Sequence, residues 1–474
     1  MVPILKLRIL CAVAMVTFVV PFLSLASLEI SDSGNGTVAL SWTNSAVLQH
    51  VDELGSIWRD IREATSPFTN EASRASGFYR LRLPDYTLFA NLDAYTDVAL
   101  MDYDGQVVHV WSNDFPAGAS VYLLADGSIF RSARISNTNF SAGGSGGRME
   151  KRAWDGTLSW SFDYSSSAHC QHHDTALLPN GNVLAVAWES LTRDEALALG
   201  RDPALMGDVD IVLWPDTIVE IEPGGTNSGS IVWKWSVMDH LIQDYDPSKP
   251  NYGVVEDHPE LVDFNYPRNT VVDWMHVNAV TYNEELDQIM ISVRTFSEIW
   301  IIDHGTTPEE ATSHSGGRCG KGGDLLYRWG NPFAYGMGTQ SNQVFGGQHD
   351  PTWIPANCPG AGHILVFNNG IHRGYSSADE LIPPLLPDGT YERSPDHPYG
   401  PTNLVWTYDG SVSNRFSSPL VSSAQRLPDG NTLIDLGTSR YFFEVSPDGE
   451  LQWEYHVPGA GLIFRGTRVL FDLP

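Results

Sequence analysis

The sequence is poor in basic residues. Its 474 residues include 28 Lys and Arg against 57 Asp and Glu, which gives a formal charge of −29. Binding to nucleic acid or to an anionic membrane surface depends on Lys and Arg, so this charge argues against both partners. It does not exclude a small anionic substrate, because a local basic pocket can lie inside an acidic protein. No GxxxxGK[ST] motif occurs, so we expect no nucleotide-binding P-loop and no nucleotide cofactor.

Cysteine is also scarce, with four in the chain. No CxxC motif is present, which argues against a zinc ribbon or a thioredoxin-type site. Cys11 falls in the N-terminal segment, so one disulfide and one free thiol are the simplest arrangement of the other three. We predict the pair Cys319–Cys358, because both residues lie in long loop-like insertions. Cys170, close to His173, is a weak alternative as a nucleophile.

Long apolar runs are absent except at the N-terminus. Lys6 and Arg8 precede an apolar run at 9–20, and the small residues Ser24 and Ala26 follow at spaced positions. This pattern predicts a cleaved signal peptide over residues 1–26 and a secreted or periplasmic protein. The alternative is a retained membrane anchor, although the run is short for a span of about 20 residues. We expect no integral membrane domain elsewhere.

Glycine, proline and tryptophan are abundant, and they recur in a repeated pattern. Turns of one type precede apolar runs, and further strand-like segments end in tryptophan. The turns are 124–127, 178–181 and 427–430, and the endings are 107–111, 158–160, 231–233, 325–329, 404–406 and 451–453. The six endings predict an all-β fold, a six-bladed β-propeller over residues 81–474. An ordinary β-sandwich with chance tryptophan placement is the weaker alternative.

Residues 27–80 lack the repeat. Val51, Leu54, Ile57, Trp58 and Ile61 have helical spacing, which predicts a short helix in a short N-terminal extension. At the other end, the segment 462–471 follows the sixth ending. We expect it to return to the first blade and to close the ring, because closure removes exposed sheet edges.

Three successive units carry a histidine at one repeat position. Aligning the units on their turns superposes His173, His276 and His349, whereas the second and sixth units have Ala119 and Ser422 there. In a propeller this position faces the central channel, where ligands bind. His172 leaves the first assignment open by one residue. Zinc bound by three imidazoles is the alternative to direct catalysis. Two acidic neighbours, Asp174 and Asp350, could orient the rings.

Arg294 and Asn278 add groups suited to an anion. Arg294 lies in an apolar strand, and an arginine in such surroundings is rarely buried without an anionic partner. That partner is either a structural carboxylate or an oxyanion such as sulfate. Asn278 follows His276 by two residues, so on a strand it is expected on the same face.

These motifs resemble the arylsulfate sulfotransferases over about residues 80–465, in matching order. The segments that carry the resemblance are His173–Asp174, Asp273–Asn278, Ser292–Arg294, Gly347–Asp350, Phe367–Gly370, Ala424–Leu433 and Phe443–Gly449. The resemblance implies a secreted six-bladed propeller that moves a sulfuryl group from a phenolic sulfate to another phenol, without a cofactor. It also implies that His349 is the nucleophile, which becomes a sulfohistidine. His173, His276 and Arg294 then complete the catalytic set without a metal, with Asn278 and Arg294 binding substrate.

One departure concerns the N-terminus, because bacterial members of that family carry an N-terminal β-sandwich domain and residues 27–80 look too short for one. Two other functional classes remain open from the residues alone. One is a non-catalytic secreted binding protein, and the other is a metal-dependent hydrolase or lyase that uses the histidines as ligands.

Overall fold

Six four-stranded antiparallel sheets, named here sheets I to VI, follow one another along most of the chain. The computed structural model describes residues 5–6, 28–34, 37–42, 46–52, 58–61, 64–71, 78–92 and 95–473. The strands are Asp85–Asn91, Val98–Met101, Val107–Trp111 and Ile463–Leu470 in sheet I; Ala117–Leu123, Ile129–Arg134, Gly147–Arg152 and Leu158–Asp163 in sheet II; His169–Leu177, Val183–Glu189, Asp216–Gly224 and Ser228–Ser236 in sheet III; Val277–Asn283, Gln288–Val293, Glu298–Asp303 and Leu325–Trp329 in sheet IV; His349–Trp353, Ile364–Asn368, Ser377–Leu381 and Trp406–Tyr408 in sheet V; and Ser423–Arg426, Thr432–Leu436, Tyr441–Val445 and Leu451–His456 in sheet VI. The fold is therefore all-β and propeller-like.

The repeated sequence pattern maps onto these sheets. Each predicted tryptophan ending lies at or beside the outermost strand of a sheet. The predicted turns join the first strand to the second in sheets II, III and VI, and Gly127, Gly181 and Gly430 take left-handed φ values of 79°, 89° and 91° in them. Glycine adopts this conformation without the steric cost of a side chain. The repeat thus marks the hairpin turn and the outer strand of each unit.

The C-terminal strand joins the two ends of the chain. Ile463–Leu470 pairs antiparallel with Asp85–Asn91 and becomes the innermost strand of sheet I, so the predicted return of this segment is confirmed. The innermost strands contact one another in sequence, and that of sheet VI contacts Ile463–Leu470. The six sheets therefore surround a central axis, with a layer of apolar side chains between neighbouring sheets.

The N-terminal region differs from the expectation of a partly helical extension. Its described residues form two small sheets, one of Leu5–Lys6, Phe78–Arg82, Val47–Val51 and Arg59–Asp60, and one of Glu29–Gly34, Thr37–Ser41 and Phe68–Glu71. Leu40 and Trp42 of the second pack with Leu48, Tyr79 and Leu81 of the first. A small β-sandwich is therefore present where the length of 27–80 argued against one.

The helix predicted between Val51 and Ile61 is wrong at its described ends, whereas residues 53–57 lie outside the described residues. Val47–Val51 and Arg59–Asp60 are paired strands, and the Ile61 N–H donates to the Leu48 carbonyl at 2.8 Å. Pairing with a third strand, Phe78–Arg82, overrides the helical spacing of the apolar residues. The predicted signal segment also lies outside the described residues, apart from the strand Leu5–Lys6.

The helices of the described residues are short and lie in the connections. They are the α-helices Arg193–Ala198 and Pro308–Ala311 and five single-turn 3₁₀ helices, at Pro203–Leu205, Val237–Asp239, Val255–Asp257, Pro332–Tyr335 and Gln340–Asn342. Short two-stranded pairs also occur there, Leu191–Thr192 with Ile211–Leu213, Leu241–Ile242 with Val262–Asp263, and Gly410–Ser411 with Asn414–Arg415. No helix in the described part of the chain is long and apolar enough to cross a membrane.

The predicted disulfide Cys319–Cys358 is not formed, and Cys170 is also a free thiol. The Cys319 sulfur lies 3.8 Å from the Gly389 carbonyl, whereas the Cys358 thiol donates to the Arg426 carbonyl at 3.5 Å. Burial raises the pKa of both thiols to about 11. The two insertions were expected to meet because both are long, but they pack against different sheets.

An ion-pair cluster on the axis connects the closing strand to two other sheets. The Arg465 guanidinium binds the carboxylate of Asp174 in sheet III at 2.7 Å and that of Asp350 in sheet V at 2.6 Å. The Tyr122 hydroxyl donates to Asp174 at 2.7 Å. All four side chains lie in the interior, where unpaired charges are costly.

Replacing Arg465 with methionine should therefore destabilise the fold strongly. Two buried carboxylates would lose their cation, and we expect a loss of about 3–5 kcal/mol in the free energy of unfolding. Urea denaturation followed by tryptophan fluorescence measures it. The control is Arg415→Met, which breaks a partly exposed pair with Asp409 and should cost at most about 1 kcal/mol. Equal losses in the two variants would contradict a special role for Arg465.

Candidate active site

Irregular inner strands place the three histidines at the end of the channel. The inner strands of sheets III, IV and V each have a register shift, between Gln171 and Thr175, Val277 and Ala279, and His349 and Thr352. His173 and His276 have left-handed φ values of 49° and 52°, and Asp350, beside His349, has 51°. Bulges of this type redirect a side chain from the plane of the sheet. The repeat position thus points its side chain toward the axis.

A cavity of about 640 Å³ opens where these side chains meet. Its polar wall contains His173, His276, His349 and Arg294, so the structure brings four of the predicted site residues together. Its apolar rim includes Leu92, Phe140, Leu420, Val421 and Leu462, and Arg134, Ser136, Asn137, Ser141 and Ser145 also line the cavity. A cavity of this size, with apolar side chains and a few convergent polar groups, suits a small organic molecule.

His349 is held as a neutral imidazole with one free nitrogen. Its Nδ1 lies 2.7 Å from Asn369 Oδ1, and the Asn369 amide group donates to the carbonyls of Ser418 and Val421. These two bonds fix the Asn369 oxygen toward His349, so the proton is on Nδ1 and Nε2 carries a lone pair. Burial, with repulsion from nearby Arg294, lowers the pKa of His349 to about 3.

His276 has a carboxylate behind it in place of an amide. Its Nδ1 lies 2.5 Å from Asp273 Oδ2, and Trp188 Nε1 donates to the other oxygen of Asp273 at 2.9 Å. A carboxylate in this position orients the ring and fixes which of its nitrogens faces the cavity. His276 is therefore equipped to exchange a proton at Nε2.

His173 is the member of the His172–His173 pair that lines the cavity, which decides the open assignment. His172 is buried behind it, stacked on Trp188, with its Nδ1 2.8 Å from His173 Nδ1 and its Nε2 2.7 Å from Asp216. Burial raises the pKa of Asp216 well above its usual range. A protonated Asp216 would donate to His172, His172 would then donate to His173 Nδ1, and His173 would present an N–H at Nε2.

Arg294 is the half-buried cation of the cavity, which the exposed Arg134 also lines. Burial lowers the pKa of the Arg294 guanidinium, against the opposing effect of Asp273. No carboxylate among the described residues forms an ion pair with it, in contrast to Arg465 and Arg328, which are paired. An arginine with free N–H donors in a cavity is suited to bind the oxygens of an anion.

Asn278 does not line the cavity. Its amide donates to the carbonyl of Gln348 at 2.8 Å, so it holds the residue that precedes His349. The expectation of a shared face assumed a regular strand, but the strand begins at Val277 and a register shift follows. Asp174 and Asp350 do not support the rings as expected, because their carboxylates bind Arg465. The residues that support the rings are Asp216, Asp273 and Asn369.

The sequence match to known families decides the class of protein. The arylsulfotransferase (ASST) family model matches residues 82–456, which include all five predicted site residues and most of the ring. The chain belongs to the arylsulfotransferase (ASST) family. It is therefore an enzyme, an aryl sulfotransferase that works without a nucleotide, and the predicted family is confirmed.

Other comparisons give only distant likenesses to this arylsulfotransferase. One solved structure is a protein of unknown function from Bacteroides caccae, with 12 % identity over 81 % of this chain and 99 % of that chain and a TM-score of 0.44. Another is the periplasmic gluconolactonase of Pseudomonas aeruginosa, with 11 % identity over 82 % of this chain and 100 % of that chain and a TM-score of 0.37. Likenesses this weak support no conclusion. No curated protein matches the chain significantly.

Three supporting residues of the arylsulfotransferase site were missed. Asp273 and Asn369 stand within motifs that carry the family resemblance, so their positions beside His276 and Gly370 were a usable signal. Asp216 had none, because it starts the third strand of sheet III, 44 residues from the His172 it contacts. Only the hydrogen bonds across the sheet reveal it.

Burying His349 as a neutral ring should make stability depend on pH. In the unfolded chain its pKa is about 6.5, so below that pH the unfolded chain binds a proton that the folded chain does not. The contribution to stability is complete above pH 6.5 and decreases as the pH falls toward 3. Between pH 7.5 and 5 the wild type should lose about 2 kcal/mol more than His349→Asn in urea denaturation. Replacing the exposed His397 with asparagine is the control, and a His349→Asn profile parallel to the wild type would contradict the neutral ring.

Proposed function

We propose that the protein moves a sulfuryl group from a phenolic sulfate ester to a phenolic acceptor in two steps, through a sulfohistidine at His349. The observation that carries the proposal is the pairing of one neutral imidazole and one unpaired guanidinium in the same cavity. The imidazole is a nucleophile that requires neither a thiolate nor a metal. The guanidinium matches the negative oxygens of the group transferred.

We also propose that sheets I to VI are the blades of a six-bladed β-propeller with the site on its axis. The contacts between successive inner strands and the C-terminal strand in sheet I support this assignment. The N-terminal apolar run, together with the family, supports a signal peptide and a periplasmic or secreted location.

In the first step, Arg294 binds the sulfate oxygens and places the sulfur near His349. The lone pair on His349 Nε2 forms the N–S bond while the bond between sulfur and the phenolic oxygen breaks. Protonated His276 gives its proton to the departing phenolate, a role for which Asp273 prepares it. The Nδ1–H of His349 stays bonded to Asn369, so no proton has to leave the nucleophile.

In the second step, a phenol takes the place of the released product. His276 accepts the phenolic proton, the oxygen attacks the sulfur, and the N–S bond breaks to restore His349. In this mechanism an N–H at His173 Nε2 stabilises a sulfuryl oxygen in both steps. The apolar rim, with Phe140 and Leu462, favours an aromatic acceptor over water.

Replacing His349 with asparagine should abolish turnover, because the proposed N–S bond forms on His349 Nε2. Release of 4-nitrophenol from 4-nitrophenyl sulfate, with and without added phenol, measures it. We expect release by the wild type to depend on phenol, and mass spectrometry without acceptor to find a sulfuryl group on His349. His397→Asn, which changes an exposed histidine, should behave as the wild type.

Other outcomes of the same assay separate the alternatives. Release independent of phenol would indicate a sulfatase, and a near-normal rate in His349→Asn would contradict the nucleophile. Activity lost on adding a chelator and restored by a metal would indicate metal-dependent chemistry. No release under any condition would indicate a non-aromatic donor.

Replacing Arg294 with methionine should lower kcat/KM by roughly 10²–10³, the usual cost of one group that stabilises transition-state charge. The loss should include kcat, because charge on the sulfuryl oxygens and the leaving group changes during the reaction. Steady-state kinetics with 4-nitrophenyl sulfate measure both parameters, and Arg415→Met is the matched control. An increase in KM alone would restrict Arg294 to ground-state binding.

A further inference from the structure

A second cluster of histidines lies away from the cavity, on the outer strands of sheets III and IV. His240 follows the outer strand of sheet III, and Asp324 directly precedes the outer strand of sheet IV. His314 lies after the helix Pro308–Ala311, in the connection between the third and fourth strands of sheet IV. The arylsulfotransferase reaction described above uses none of these residues.

The three side chains point their ligand atoms at one place. His240 Nδ1 and His314 Nδ1 each lie 2.8 Å from the same oxygen of Asp324, and the three atoms lie within 4.8 Å of one another. In the part of the chain that the structure describes, this is the one group of three such residues with that geometry. His240 and Asp324 are buried, whereas the His314 ring is 62 % exposed.

The hydrogen bond on the far side of His240 points to a cation at this place. His240 Nε2 lies 3.0 Å from the carbonyl of Ala311, which can only accept, so Nε2 carries a proton. In the neutral ring Nδ1 then has a lone pair, directed at a carboxylate oxygen that is also an acceptor. Two acceptors at 2.8 Å repel unless a proton or a metal ion lies between them.

We propose that His240 Nδ1, His314 Nδ1 and Asp324 Oδ1 bind one divalent cation of the zinc class. Two imidazoles and a carboxylate are a donor set that zinc prefers, and a carbonyl that accepts from the outer nitrogen is the usual support of a ligating histidine. Ligand atoms around zinc are roughly 3.3 Å apart, so the ligands must separate slightly. The exposed His314 ring has room to do so, and a fourth position faces solvent.

The expected role of the ion is to fix a glycine-rich connection. Residues 304–324 join the third and fourth strands of sheet IV and include four glycines with left-handed φ, at 316, 317, 320 and 322. Such a segment loses much conformational freedom on folding. A metal bound by all three residues would link His314 and Asp324 of this connection to His240, which follows the outer strand of sheet III. Neither His240 nor any residue of this connection lines the catalytic cavity, so activity should not require the ion.

The test is zinc binding by the full-length protein. The protein is treated with EDTA, dialysed against ZnCl₂ and analysed by inductively coupled plasma mass spectrometry, and its thermal unfolding is recorded with and without ZnCl₂. We expect about one bound zinc per chain and a higher unfolding temperature with zinc. His314→Ala should lose both effects, retain the fold because the ring is exposed, and keep the wild-type rate with 4-nitrophenyl sulfate.

Two further variants identify the ligands. His258→Ala removes another exposed histidine, which pairs with Glu260 and lines the same small surface pocket as His314. This variant should bind zinc as the wild type does. His349→Asn should also bind it, because the catalytic histidines are not the ligands. Zinc binding that persists in His314→Ala, or that is lost in His349→Asn, would overturn the proposal, as would no binding by the wild type.

Discussion

The guanidinium of Arg465 binds Asp174 and Asp350 on the axis of the ring, and these two carboxylates belong to the residues that follow His173 and His349. The strand that carries Arg465 is also the one that joins the C-terminus to sheet I. Phe464, next to it, lies 6.1 Å from the His173 ring and 6.3 Å from the His349 ring. Ring closure and the placement of two site histidines therefore depend on the same two residues.

The environment behind each ring, more than its place in the repeat, sets its chemistry. The group behind His349 is the neutral amide of Asn369, whereas the group behind His276 is the carboxylate of Asp273. The left-handed backbone is not peculiar to the histidines, because Val421 and Ser422 of sheet VI also have positive φ, at 50° and 88°. The position in the repeat thus determines where the side chain points, and the group hydrogen-bonded to its Nδ1 determines its electrostatic environment.

The sequence was sufficient to predict the repeated units, but it was insufficient to predict contacts between segments that are distant in the chain. The turns and tryptophan endings predicted six blade-like units, and the alignment predicted that His173, His276 and His349 lie together. Three predictions were wrong: the pairing of Cys319 with Cys358, the helix near Val51 and the orientation of Asn278. Each of these depends on which distant segment packs against the residue, and neither spacing nor loop length contains that information.

The charge of the whole protein and the charge of the cavity have opposite signs, and this limits how a sulfate ester can be bound. A formal charge of −29 repels an anion at long range. Salt screens that repulsion over about 8 Å at physiological ionic strength, whereas the half-buried Arg294 acts at contact distance and is screened much less. In the proposed reaction, selection of the donor therefore takes place inside the cavity, where Arg294 would bind the sulfate and the apolar rim would bind the ring. An inorganic sulfate ion gains only the first of these interactions, so the same arrangement favours an aromatic ester over the free anion.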